Sequence, residues 1–249
     1  VIDAGYDVAS LSRDLDLMTI LTFSYHGAWD EKTGHGAPAY YRPGDDNLFF
    51  NVNSSIQYWL DQGAPRDKML LSFPLYGPEF ELKNPDDNGL DAPTTDNYEE
   101  MKYFQICHQI QNGGWTVVRD PQGRMGPYAY KGGRWVSFDD DQSTLMKLKY
   151  LKDLGLRGAM VWALDMDDFS NRCSCESFHM TKIINRALHR LEEADPGCPL
   201  LGTKPETGKG WLRRCPNNAP FLPNDAFGYV PSDAFGYVPS DAFGYVPCS

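Results

Sequence analysis

The sequence predicts an α/β fold built on parallel strands, on three observations. Short apolar runs at Leu17–Phe23, Lys68–Leu75 and Gly158–Trp162 have the length and composition of buried strands. Amphipathic stretches of helical period lie between them. The last run ends on a large aromatic, Trp162, followed by the acidic turn Asp165-Met166-Asp167-Asp168. A strand that delivers an aromatic and carboxylates at its C-terminal end describes the floor of a site in a parallel barrel. A core tryptophan is the rival reading of Trp162.

Val1–Asp3 reads as the remnant of a strand, and Ala4–Arg13 as a short helix. Leu17–Phe23, with Thr19 and Thr22, is the first full strand. A long loop rich in glycine and aromatics follows, through Tyr40 and Tyr41; such loops carry function. Asn51–Gln62 is a helix with Val52, Ile56, Trp59 and Leu60 on one side, ended by Gly63-Ala64-Pro65. Lys68–Leu75 is the next strand. From Glu79 to Trp135 the pattern changes to short strands at Thr116–Val118, Pro127–Tyr130 and Arg134–Val136 between polar turns. Asp139-Asp140-Asp141 precedes a helix over Gln142–Leu154, where capping explains the acids better than a metal. After the strand at Gly158, a last helix is expected over Met180–Glu192. Beyond Asp195 the composition shifts to Pro, Gly and Asn. From Asp225 the octapeptide Asp-Ala-Phe-Gly-Tyr-Val-Pro-Ser occurs three times, with Cys248 replacing the serine in the last copy. A period of eight with proline in every copy builds no packed core, so 196–249 reads as a disordered tail.

Four stretches together resemble family 18 glycoside hydrolases, the chitinases and chitinase-like lectins. Gly158–Phe169 resembles the eighth barrel strand, whose tryptophan is the platform under the sugar at the cleavage point. Ile2–Val8 resembles the end of strand five. Phe23-Ser24-Tyr25-His26-Gly27-Ala28-Trp29-Asp30 with Thr33-Gly34-His35 resembles the strand-six motif, and Leu70–Gly77 resembles strand seven. The resemblance covers about residues 1–191. It implies a partial (β/α)8 TIM barrel, from the end of strand five to strand eight, with an inserted α+β subdomain. The chain then divides into 1–78 (strands five to seven), 79–135 (insertion), 136–195 (the final helix–strand–helix) and 196–249 (tail). The resemblance also implies a disulfide between Cys107 and either Cys173 or Cys175.

The net charge of −11 excludes a nucleic-acid partner, since phosphates would be repelled. It suits a neutral polysaccharide. No apolar run is long enough to span a bilayer, and no membrane partner is expected. Six cysteines and the sequon at Asn53 point to an extracellular, secreted protein. Cys173, Cys175 and His179 lack the second pair that a zinc site wants, so no metal or cofactor is expected. The chain begins at Val1 rather than methionine, which reads as a processed product, a fragment or an incomplete gene model.

The chemistry follows from the resemblance. Chitinases of this family use the substrate's own acetamide as nucleophile, with a glutamic acid on strand four as proton donor in an Asp-x-x-Asp-x-Asp-x-Glu motif. That motif is absent from this sequence. The family's Tyr-Asp on strand six is Phe23-Ser24 here, and its Tyr-Gly-Arg on strand seven is Tyr76-Gly77-Pro78. Each lost transition-state hydrogen bond costs about 10²–10³ in rate. No catalytic residue is assigned, and the chain by itself is expected not to hydrolyse chitin. The surviving binding positions are Trp162, Tyr76 and Trp29, with Phe23 and Asp165 beside them. Trp135, Trp115 and Trp59 read as structural. The expected partner is chitin or a chito-oligosaccharide, bound as a lectin would bind it. A structural or interaction role for the aromatic tail is the alternative. Open barrel edges would favour self-association.

Overall fold

A computed structural model describes residues 2–174 and 176–189. The elements run α1 (Ile2–Gly5), α2 (Val8–Asp14), β1 (Met18–Ile20), α3 (Val52–Asp61), β2 (Met69–Pro74), β3 (Tyr76–Leu82), β4 (Thr94–Lys102), α4 (Tyr103–Gly113), β5 (Thr116–Val118), β6 (Tyr128–Lys131), β7 (Arg134–Ser137), α5 (Asp141–Asp153), β8 (Gly158–Trp162) and α6 (His179–Ala187). Two sheets result. One is parallel, in the order β1-β2-β8; the other is antiparallel, in the order β4-β3-β7-β6-β5. Among the described residues the parallel sheet does not close into a barrel.

β2 is the central strand of the parallel sheet. Met69, Leu71 and Phe73 are buried against Val52 and Ile56 of α3 and against Leu148 and Leu151 of α5. The i, i+4 spacing in α3 supplies that apolar stripe, and Asn51 caps its start by accepting the Ser54 N–H at 2.8 Å. On the opposite side of β2, Ser72 is buried but satisfied. Its hydroxyl donates to Ile20 O at 2.6 Å, and its carbonyl accepts from Thr22 Oγ1 at 3.0 Å. A buried hydroxyl with a partner costs little.

Several expectations are corrected. Ile2 and Asp3 are helical, not the end of a strand: with no neighbour to pair with, the segment closes its own turn, Tyr6 N–H to Ile2 O at 2.9 Å. The helix expected over 4–13 is two helices, because Asp7 caps a new start by accepting from Ser10 N at 3.0 Å. The run 17–23 forms a strand only over Met18–Ile20, the residues in register with Met69–Leu71. β8 is not buried on both faces; Ala159, Met160 and Val161 are half-buried, since only β2 flanks it. The sequon residue Asn53 lies in the first turn of α3 and is half-buried. The last helix ends at Ala187, and Glu192, Cys175 and the repeat tail lie outside the described residues.

The antiparallel sheet has its own core. Trp135 is fully buried, stacked on Tyr128 at 5.0 Å, with its indole N–H donating to Asn88 O at 3.2 Å. Trp115 packs with Ile106, Val136 and Phe138. Trp59 is half-buried against Tyr6, at 5.4 Å.

Candidate sugar-binding site

The two sheets meet at Leu75. β2 ends at Pro74, and β3 starts at Tyr76 in the other sheet. Leu75 N–H donates to Trp162 O at 2.8 Å, and Leu75 O accepts from Tyr103 N–H at 2.8 Å. The register that pairs Pro74 with Trp162 therefore sets Tyr76 beside the end of β8. Gly77 is obligatory there: a Cβ would stand 1.8 Å from Ser137 O, which is backbone and cannot move aside.

Around this junction a shallow, open pocket is lined by Phe23, Ser24, His26, His35, Tyr76 and Asp139, among others. The Phe23 ring meets Tyr76 edge-on at 5.9 Å. Ser24 Oγ and Tyr76 Oη share a hydrogen bond of 2.6 Å, which Ser24 reaches from a left-handed backbone, φ 55°. Burial raises the Tyr76 phenol, so it remains a neutral donor and acceptor. His26 Nδ1 lies 3.1 Å from Asp30 Oδ2, and the same oxygen accepts Gly27 N–H at 2.9 Å. His35 is buried. Its Nδ1 accepts Ala37 N–H at 3.1 Å, which leaves Nε2 to donate to Phe138 O at 3.2 Å. Burial pulls its pKa down to about 4, so the ring is neutral.

The structure brings Phe23 and Tyr76 into one pocket; Trp162 does not line it, and stands 44 % exposed at the end of β8, paired with the lining residue Pro74. A tryptophan that open cannot be a core residue. Asp165 stands in solvent, 3.7 Å from Lys102, whose strand position is opposite Tyr76. Trp29 is 64 % exposed and does not line the pocket; its indole covers Gly27, where a Cβ would lie 2.7 Å from the ring.

The remaining carboxylates hold the fold. Asp167 is buried and accepts from Thr181 N and Oγ1 at 2.8 and 2.7 Å, which caps α6. Asp168 accepts the N–H groups of Arg172 and Cys173 at 2.9 and 2.8 Å. Cys107 and Cys173 form a disulfide, with Cα atoms 5.7 Å apart. Asp140 caps α5 by accepting Ser143 N–H at 3.1 Å and pairs with Arg119. Asp139 pairs with Lys147 at 2.5 Å, and Lys147 also donates to Ala37 O at 2.6 Å. The hydroxyl pair Ser24–Tyr76 and the Asp139–Lys147 anchor are the features that sequence reasoning missed. Each joins residues whose meeting depends on the tertiary fold.

The description "Glycosyl hydrolases family 18" matches residues 1–167. Probable chitinase 10 of Drosophila melanogaster is 45 % identical over 213 residues, which is 82 % of this chain and 9 % of that protein. The solved catalytic domain 2 of the Ostrinia furnacalis Group II chitinase is 40 % identical with a TM-score of 0.75, covering 80 % of this chain and 55 % of that one. Human YKL-39, described as a pseudo-chitinase with retained chitooligosaccharide binding, is 32 % identical with a TM-score of 0.70, covering 76 % of this chain and 54 % of its own. The chain thus spans about half, or far less, of the proteins it matches.

Proposed function

Because the chain belongs to glycosyl hydrolase family 18, we propose that it is the C-terminal part of a chitinase-like protein that binds chito-oligosaccharides outside the cell. One observation carries this reading: Trp162 stands exposed at the C-terminal end of β8, and its carbonyl holds Leu75, the residue before Tyr76 of the pocket. An indole face takes the apolar face of a pyranose, and the hydroxyls of Ser24 and Tyr76 take its polar edge. The disulfide and the sequon at Asn53 support an oxidising, secretory environment.

We infer that this chain binds without cleaving. No acid motif of the family's form occurs in the sequence. The pocket offers phenol, hydroxyl and a neutral imidazole, and its carboxylate, Asp139, is taken up by Lys147; His35 at about 4 cannot donate a proton near neutrality. YKL-39 lends support to binding without turnover as a stable end point for this family. Self-association is a second expectation, favoured by the exposed Leu15, Leu17 and Leu21 flanking the open edge of β1.

Calorimetric titration with N-acetylglucosamine tetramer tests the reading. Wild type is expected to bind, and Trp162→Ala to weaken binding by about tenfold or more, the worth of a stacked aromatic. Equal affinity of the two proteins would remove Trp162 from the site.

A further inference from the structure

The wall of the Tyr76 pocket is rich in acceptors and short of donors. Side chains alternate between the faces of a strand, and the register of β3 with β4 sets Lys102 opposite Tyr76 and Glu100 opposite Pro78. Tyr76 and Pro78 both line the pocket, so Glu100 stands at its rim on the same face of the sheet. Glu100 is exposed, and among the described residues no cation pairs with it. Its charge reaches the pocket phenol: burial raises the Tyr76 hydroxyl, Ser24 lowers it, and Glu100 raises it again. Tyr98, on the same face opposite Phe80, is raised by burial and then by Glu100, with Asp30 adding to it.

The nearby cations are already committed. Lys102 stands 3.7 Å from Asp165, and Lys147 holds Asp139 Oδ2 at 2.5 Å. Asp139 lines the pocket and is 4 % exposed, yet its Oδ1 keeps no partner among the described residues. A buried acceptor without a donor is costly, and a ligand that donates to it removes the cost. The donors are committed as well. The His35 Nε2–H goes to Phe138 O at 3.2 Å, and Ser24 and Tyr76 spend one of their two O–H groups on each other. One hydroxyl hydrogen is left against the carboxylates of Asp139 and Glu100.

An acetamide suits that wall poorly. It brings a single N–H donor and a carbonyl whose negative end faces carboxylates. A protonated amine brings three N–H donors, a positive charge and no acceptor. We propose that the pocket selects sugars bearing a free amine, the glucosamine units of a partly deacetylated chito-oligosaccharide, and that Glu100 is the residue that sets this preference. An amine beside Glu100 takes up its proton more readily, because a neighbouring opposite charge favours the charged form. The proposal rests on the reading of the cleft as an oligosaccharide site.

The test is calorimetric titration of the full chain, at neutral pH and low salt, with two probes: the β-1,4-linked tetramer of N-acetylglucosamine and the same tetramer fully deacetylated. Wild type is expected to bind the deacetylated tetramer about threefold to fivefold more tightly. Glu100→Gln changes an exposed side chain and keeps its shape. It is expected to abolish the preference and to leave affinity for the acetylated tetramer unchanged. Added salt is expected to erode the preference in wild type. Glu99→Gln removes the same charge from the opposite face of the sheet, where Glu99 lies across from Glu79, and is expected to keep the preference. Equal affinity of wild type for the two tetramers, or tighter binding of the acetylated one, overturns the proposal and leaves the cleft standing. An equal loss in Glu99→Gln and Glu100→Gln also overturns it, since the attraction would then belong to the chain's net charge of −11. So does a preference that survives Glu100→Gln undiminished. Wild type that binds neither tetramer sinks the cleft reading with it.

Discussion

Lys147→Met is expected to destabilise the protein by about 4–6 kcal/mol. Lys147 is 1 % exposed and makes two contacts: its ammonium donates to Asp139 Oδ2 at 2.5 Å and to Ala37 O at 2.6 Å. Methionine fills nearly the same volume, so packing changes little. What changes is electrostatic. Removing one partner of a buried pair leaves an uncompensated charge, which costs about 3–5 kcal/mol. The orphaned Ala37 carbonyl adds about 1 kcal/mol. Against a total stability of about 5–15 kcal/mol, that is a third or more of what holds the fold. The double variant Lys147→Met/Asp139→Leu removes both charges and is expected to recover a large part of the loss. Urea unfolding followed by tryptophan fluorescence measures both proteins. A loss under about 1 kcal/mol for the single variant would refute the argument, because it would mean that Asp139 carries no charge that needs Lys147. A double variant worse than the single one would refute it as well.

His179 gives a pH dependence. Burial lowers its pKa, but Asp141 at 3.0 Å, with Asp167 and Glu176, outweighs burial and holds it above 6.5. A raised folded value adds stability that is complete below 6.5 and is lost as pH rises through the folded value; the melting temperature is expected to fall on the alkaline side, and His179→Gln to be less stable and flat there. Ser24→Ala loses the bond to Tyr76 and is expected to cost about 1 kcal/mol. Ser24→Gly loses the same bond but relaxes φ 55°, so it should melt above Ser24→Ala by about 1 kcal/mol equivalent; the reverse order in calorimetry counts against strain at Ser24. Reduction of Cys107–Cys173, which closes a span of 66 residues, is expected to cost about 4 kcal/mol by loop entropy, read as a drop in the urea midpoint with dithiothreitol that Cys107→Ser/Cys173→Ser reproduces without it.

The parts of the fold legible in the sequence are those fixed locally. α3 and α5 announce themselves through apolar spacing and an Asn or Asp cap. β2 was legible because a central strand is apolar throughout. β1 shrank to three residues because a strand's length depends on its partner, which its own residues do not encode. Trp162 could be read either way from its neighbours; its exposure depends on where β8 stops relative to β2. Ser24 and Tyr76 lie 52 residues apart, and no periodicity links them. The cysteine choice was likewise a matter of which Cα comes within bonding distance of Cys107, and Cys173 does so because Asp168 folds the turn beneath it.

Among the described residues the antiparallel sheet is fastened to the parallel one by the unbroken chain through Leu75, by the sulfur link from α4 to the turn after β8, by the Lys102–Asp165 pair, and by the return at Asp139–Asp140, where Arg119 and Lys147 grip consecutive residues. A plate fixed at one corner swings freely; each further bolt takes away a direction of travel. The fold therefore leaves the two sheets no hinge about which to close. On the proposed reading, a sugar would meet walls already standing at a set width, and selectivity would be a matter of gauge, as in a keyway cut to one thickness of blade.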